Sequence, residues 1–300
     1  MVSTGFDDRD GLIWYDGQMV EWREANFHIL THAMHYASCV FEGERVYNGK
    51  IFKLQEHSER LINSANILGF EIPYSVSEID DACIKACQEN GIVDGYVRPI
   101  AWRGSEMMGV SAQDTQIHLA VAVWPWPSYF SPEARMKGIR LKTSKWRRPP
   151  PESAPVHAKA SGLYMICTLS KHEAEADGYD DALMLDWRGF VAEGTGANIF
   201  FVMSDGNLHT PPPDCFLNGI TRQSVFELAE IRNYEIIERH IKPEEIQDAK
   251  EVFVTGTAAE VTPVGEIDGT IIPVGPITKT LMEDYDKLVG KLPDNEASAA

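Results

Sequence analysis

The stretch WPWPSYFSPEARMKG, from Trp124 to Gly138, divides a 300-residue chain into two halves that each mix strand and helix patterns. Its prolines cannot continue a sheet interior, and few packed contacts need cross such a segment. This break predicts two α/β domains, residues 1–126 and 138–300, joined by an interdomain loop over 127–137. A chain of this length is long enough for one large domain or two medium ones.

The first half carries clear local signals. Asn48-Gly49 between strand-like flanks in VYNGKIF predicts a hairpin. Leu54, Leu61, Ala65 and Leu68 recur at helical spacing, with Gly69 as a stop. Ser77 and Asp80 suggest a capping box for a second helix, which Gly91 ends. YVRPIAW and IHLAVAVW then read as strands. In the second half a helix is expected after Lys159, DALMLDW and ANIFFVM as strands, and GITRQSVFELAEI as a helix from about Thr221. EVFVTGTAAEVTPV supplies a strand and a tight turn, and PDNEASAA reads as a frayed tail.

Charge narrows the partners. A formal net charge of −18 argues against nucleic acid and against an anionic membrane. The basic run Lys145-Trp146-Arg147-Arg148 opposes that trend; it reads as a solvated loop, or else as the edge of a site for an anion. No segment approaches the ~20 apolar residues that span a bilayer. Five cysteines form no even framework, and the polar, acidic start MVSTGFDDRDG is unlike a signal peptide, so a cytoplasmic location is expected. Cys83 and Cys87, four apart in a helical pattern, read as small apolar residues. No metal site is expected.

PVHAKASGLY, Pro155 to Tyr164, places Lys159 among small residues. A poorly hydrated site disfavours an ammonium and lowers its pKa from the reference of ~10.4. The neutral amine can then condense with an aldehyde. A pyridoxal-type cofactor also needs an acid for its ring nitrogen and donors for its phosphate. Glu193 in VAEGTGANIF offers the acid, with Gly194 and Gly196 beside it letting backbone approach a ring closely. These glycines do not make a dinucleotide loop, because Ile199 stands where G-x-G-x-x-G needs a third glycine and no helical run follows.

NGITRQSV offers an anion site. Gly219 permits an unusual turn, Thr221 can cap a new helix, and the N–H groups of Ile220 and Thr221 would point at a phosphate. The turn of Gly256, Thr257 and Ala258 offers further donors, and Arg60 a charge-assisted clamp.

Together these residues resemble the branched-chain amino acid aminotransferases, fold-type IV (class IV) pyridoxal phosphate enzymes. HAMHYASCVFEGERVY, HSERL, YVRP, AKASGLY, EGTGANIF, GITR and GTAAEVTPV carry the resemblance in order along nearly the whole chain. It implies that pyridoxal 5′-phosphate is held covalently by Lys159, which then moves the proton at the substrate's Cα. Tyr164 would hydrogen-bond the cofactor's phenolic oxygen, and Glu193 would pair with its ring nitrogen. Arg60, Ile220, Thr221 and Thr257 would hold the phosphate, with Leu217 against the ring and Asn198 supporting its surroundings. Tyr36, Phe41, Tyr96, Arg98, Trp126, Tyr129 and the Thr257-Ala258 turn would shape the substrate pocket. Where the family commonly reads GGNY, this chain has Ser161-Gly162-Leu163-Tyr164, keeping the tyrosine and replacing the asparagine.

The resemblance implies a homodimer that moves the amino group of L-leucine, L-isoleucine or L-valine to 2-oxoglutarate in ping-pong fashion. One methylene in an aromatic-walled cavity changes binding by only ~1–3 kcal/mol, so all three should be accepted. Other members of the fold, D-amino acid and (R)-amine transaminases and aminodeoxychorismate lyases, share the lysine and glutamate and differ in the substrate wall. A catalytically silent binding homologue would have no need of Lys159 and Glu193.

Overall fold

The computed structural model describes residues 5–126 and 136–293. They fall into two compact units: the residues before 128 together with 158–162, and those of 128–157 and 163–300. Tyr129, most of the expected linker and the PDNEASAA tail beyond its proline lie outside the described residues.

The first unit is built on a seven-stranded antiparallel sheet. Its strands are β1 (Leu12–Tyr15), β2 (Gln18–Glu21), β3 (Cys39–Phe41), β4 (Glu44–Tyr47), β5 (Lys50–Ile51), β6 (Gly95–Arg103) and β7 (Ile117–Pro125). The order is β2-β1-β7-β6-β4-β5, with β3 also paired to β6. The expected hairpin joins β4 to β5, with Asn48 at φ 51° and Gly49 at φ 76°, the left-handed pair that a tight two-residue turn demands. Helix α1 (His32–Tyr36) precedes β3. Helices α2 (Leu54–Ile67) and α3 (Val76–Glu89) pack on each other and on the sheet, burying Leu61, Ala65, Ile79, Ala82, Cys83 and Ala86.

Two local expectations are corrected. The capping box of α3 is Ser75 and Glu78, not Ser77 and Asp80: Ser75 Oγ accepts from Glu78 N at 3.3 Å, and Glu78 Oε2 from Ser75 N at 2.8 Å. Ser77 already lies inside the helix, and Asp80 instead accepts from Ser58 Oγ at 2.6 Å, tying α3 to α2. Trp124 and Pro125 belong to β7 rather than to a linker, since Tyr96 and Gly95 pair with them. Pro125 is the last residue of its strand, where a missing N–H costs little.

Residues 158–162 follow the expected boundary in the chain but pack with the first unit. Phe41 N donates to Lys159 O at 3.1 Å, and Ala160 bridges Val40. The segment bearing Lys159 therefore extends the edge of β3, whereas chain order alone assigns it to the second domain.

The second unit has a nine-stranded mixed sheet. It comprises β8 (Ile139–Arg148), β9 (Asp181–Asp186), β10 (Val191–Gly194), β11 (Asn198–Val202), β12 (Leu208–Thr210), β13 (Ile236–Glu238), β14 (Glu251–Gly256), β15 (Glu260–Ile267) and β16 (Thr270–Ile271). The order is β10-β9-β8-β15-β14-β11-β12-β13, and β16 pairs with β15. Strands β11 and β14 bury consecutive apolar residues, Ile199 to Val202 and Val252 to Val254, as strands covered on both faces do. Ile199, Phe201, Val252 and Val254 join one core cluster. Phe200 stacks on Phe253 at 5.0 Å and meets Phe226 of α5 (Ile220–Ile231) edge-on. Helix α4 (Met165–Ala176) packs on β8 and β9, and α6 (Pro276–Leu288) on β14 and β15. The basic run is the end of β8, not a loop. No helix among the described residues is long and apolar enough to cross a membrane.

Candidate active site

In the first unit the chemistry gathers around Lys159. Its peptide is held on both sides: the N–H donates to Ser64 Oγ at 3.0 Å and the carbonyl accepts from Phe41. Its Nζ stands 5.2 Å from the centre of the Phe41 ring. Arg98 lies on the same ring, 4.8 Å from its centre, and donates through Nη2 to the Tyr96 hydroxyl at 3.3 Å. Its buried Nε makes no hydrogen bond among the described residues. Tyr96 packs on Trp126 at 5.6 Å. Phe41, Tyr96, Arg98, Trp126 and Lys159 thus form one connected group. Tyr36 stacks on His32 at the end of α1 and is 43% exposed, and no described contact joins it to them.

Arg60, expected at a phosphate, is engaged by Glu42. Arg60 Nε donates to Oε1 at 2.6 Å and Nη2 to Oε2 at 2.8 Å. His57 Nδ1 lies 2.7 Å from the same Oε2. Burial alone would raise the Glu42 carboxyl, but Arg60 and then His57 outweigh it and hold Glu42 well below the usual range. Burial lowers the pKa of His57, so its neutral ring donates Nδ1–H to the carboxylate. Sequence reasoning gave Glu42, His57 and Ser64 no role. The signal was available: His57, Arg60 and Ser64 fall at i, i+3 and i+7 of α2 and share one face.

In the second unit Glu193 sits in β10, 8% exposed. Asn198 Nδ2 donates to its Oε2 at 3.3 Å and to Leu217 O at 3.0 Å, while Asn198 Oδ1 accepts from Gly219 N at 3.2 Å. The acid, Leu217 and the start of α5 are therefore joined by one side chain. A Cβ at Gly219 would stand 2.3 Å from Asn198 Oδ1, so glycine is required there by close approach. Gly219 is also the N-cap of α5 and offers no side-chain acceptor. Ile220 and Thr221 lie in the first turn, so the expectation that Thr221 caps the helix is corrected. A helix start with no side-chain cap is suited to an anion. Gly256 runs close to Gly196, whose carbonyl oxygen would stand 3.2 Å from a Cβ at that position. Thr257 and Ala258 form the turn that follows β14. Tyr164 ends the short 3-10 turn Ser161–Tyr164 and caps α4.

Arg148 was missed as a site residue. It is 5% exposed, with Nε 3.4 Å from Glu193 Oε1 and Nη1 3.5 Å from Cys167 Sγ. Burial pulls its pKa down, but Glu193, with smaller help from Cys167 and Tyr164, raises it overall. Within the basic run Lys145, Trp146 and Arg147 are exposed in succession, and only Arg148, the last residue of β8, turns inward, past a register shift in the β8–β9 pairing. Among the described residues Asp186, Asp214 and Cys215 could group around a metal, but Arg188 already spans both carboxylates at 2.7 Å.

The residues fit pyridoxal phosphate on the structure's own terms. The first unit offers a lysine with its peptide clamped beside aromatic rings. The second offers a fixed buried carboxylate tied to an uncapped helix start. Comparison with known proteins agrees. The family Amino-transferase class IV matches residues 39–267. A branched-chain-amino-acid aminotransferase of Pseudomonas aeruginosa is 44% identical over 289 residues, covering 94% of each chain. The solved branched-chain amino acid aminotransferase of Escherichia coli superposes with a TM-score of 0.91 at 35% identity, covering 97% of this chain and 98% of that one. An aminotransferase from Brucella abortus, solved bound to the co-factor PLP, gives 0.83 at 31% identity, covering 94% of this chain and 99% of that one. With a family match over residues 39–267 and relatives aligned over more than nine-tenths of their length, this chain belongs to the class IV aminotransferases.

Proposed function

We propose that the protein transfers the amino group of L-leucine, L-isoleucine or L-valine to 2-oxoglutarate by a ping-pong route, using pyridoxal 5′-phosphate. The observation that carries the substrate class is the 44% identity over 94% of both chains to a relative of that name.

When bound, the cofactor supplies an electron sink, a protonated pyridine ring that accepts the electron pair left at Cα. Lys159 Nζ would hold the cofactor's aldehyde carbon and, as a free amine, would take the proton from the substrate's Cα. Glu193 keeps the proton on the ring nitrogen, and Tyr164 donates to the phenolic oxygen. Arg60, the N–H groups of Ile220 and Thr221, and Thr257 bind the phosphate. Gly256 would let it come close to the backbone, and Leu217 would pack on the ring. Phe41, Tyr96 and Trp126 give an aliphatic side chain an apolar wall. Arg98 supplies the charge that lets glutamate serve as second substrate, and the Thr257-Ala258 turn supplies N–H donors for a carboxylate. Tyr36 and Tyr129 complete the pocket, Tyr129 from the loop 127–137 that joins the two domains.

A homodimer is the proposed working form. Phe27, Ile29, Leu30 and Met34 are 56, 66, 46 and 54% exposed. Phe27 and Met34 also line an apolar cavity of about 320 Å³ in the first unit. An exposed cluster of this kind calls for a covering surface, here a second copy.

Turnover of the cofactor-loaded protein with L-leucine and 2-oxoglutarate should far exceed that with D-alanine or (R)-1-phenylethylamine as amino donor. Negligible activity with L-leucine would defeat the proposal. Light scattering should give twice the chain mass, and a monomer would remove the dimer.

A further inference from the structure

Glu42 directly follows β3 and is fully buried. Its N–H donates to Pro99 O at 2.8 Å, so the backbone is held from one side. Both carboxylate oxygens are committed, one to Arg60 Nε and the other to Arg60 Nη2 and His57 Nδ1. Two parallel N–H···O bonds fix the plane of a guanidinium as well as its position. Without them the long arginine stem would sample several rotamers, and ordering it would fall to the ligand. The same β3–α2 pairing also sets the lysine, because Phe41 and Ser64 grip the two sides of the Lys159 peptide.

We propose that Glu42, steadied by His57, is a positioning residue that aims the Arg60 guanidinium at the cofactor's phosphate. This rests on the reading of Arg60 as a phosphate ligand. Glu42 contributes geometry rather than charge: its own negative charge opposes phosphate binding, so orientation must outweigh repulsion. It also lets Arg60, whose side chain is 16% exposed, be buried before any ligand arrives.

The test compares pyridoxal 5′-phosphate with pyridoxal, which lacks the phosphate, in titrations of the full-length protein freed of cofactor. In Glu42→Gln the dissociation constant of pyridoxal 5′-phosphate should rise roughly 10- to 100-fold, the scale at which outer partners of binding groups act. That of pyridoxal should stay within about twofold, since it makes no contact with Arg60. Equal weakening of both would mark Glu42 as merely structural. An unchanged or tighter constant for pyridoxal 5′-phosphate would show that repulsion dominates. Either result overturns the proposal. Should Glu42→Gln fold poorly, Arg60→Met and the double variant Glu42→Met with Arg60→Met decide, because the double variant leaves no unpaired buried charge. The preference for the phosphorylated ligand should be the same in both, and a further loss in the double variant would refute action through Arg60. If the unaltered protein binds the two ligands equally, the phosphate reading of Arg60 fails instead.

Discussion

Lys159 and Glu193 are anchored in opposite ways. The lysine is held by its peptide, whose N–H and carbonyl are gripped by Ser64 and Phe41. The glutamate is held by its carboxylate, to which Asn198 Nδ2 donates at 3.3 Å while the Arg148 guanidinium ion-pairs with the other oxygen at 3.4 Å. The contrast matches the two tasks proposed for them. A base that must bond, release and carry a proton needs a fixed tether behind a long stem. An acid that must keep one proton in one place needs a fixed head group.

The harshest way to break this contrast is Lys159→Ala. Transamination should fall by more than roughly 10⁴-fold, because the covalent anchor and the base leave together. Circular dichroism should show the fold intact, and near-normal turnover would remove the lysine from the mechanism. Glu193→Gln should slow Cα deprotonation by roughly 10²–10³-fold with cofactor still bound, the scale for losing one preorganised electrostatic partner. Single-turnover kinetics with L-leucine would show it, and unchanged rates would mean the ring proton does not depend on Glu193. Ser64→Ala removes one hydrogen bond from the tether, about 1 kcal/mol, and should cost about fivefold in kcat/KM. A loss as large as that in Glu193→Gln would mean the tether does more than anchor.

The smallest effect concerns a carboxyl that nothing holds. Glu44 is fully buried, and its oxygens accept no hydrogen bond among the described residues. Burial, then Glu42 and Asp80, raise its pKa well above the usual value. A raised folded pKa means the associated stability is present below the unfolded value of ~4.3 and is lost as pH rises toward the folded one. Glu44→Gln should therefore match the parent in thermal unfolding near the unfolded pKa and exceed it increasingly at alkaline pH. A gap that does not grow with pH would show that Glu44 is solvated or paired.

Much of this was legible in the residues. The Asn48-Gly49 hairpin, the helix over 54–67 and strands β9, β11 and β14 of the second unit follow from local rules of turn chemistry and periodicity. The class IV family followed from ordered motifs. What stayed hidden depends on partners far along the chain. Nothing near Lys159 says that its segment extends β3, because Phe41 and Ser64 lie about a hundred residues earlier. Arg148 looked like part of a solvated basic run; Lys145, Trp146 and Arg147 are exposed, and Arg148 alone turns in beside Glu193. Ser77 and Asp80 satisfied the capping pattern as well as Ser75 and Glu78 do. Asp80 was claimed by Ser58, a contact with another helix.

The return of residues 158–162 to the edge of β3 has a consequence for synthesis. A ribosome releases chain from the N-terminus, and domains generally fold as they emerge. Here the first unit cannot be finished that way: Val40 waits for Ala160, about 120 residues downstream, and closing so long a loop carries an entropic cost that grows with its length. A nascent chain halted at residue 127 would lack both the Val40–Ala160 bridge and Lys159, so the proposed nucleophile joins the first unit only after translation has passed into the second half.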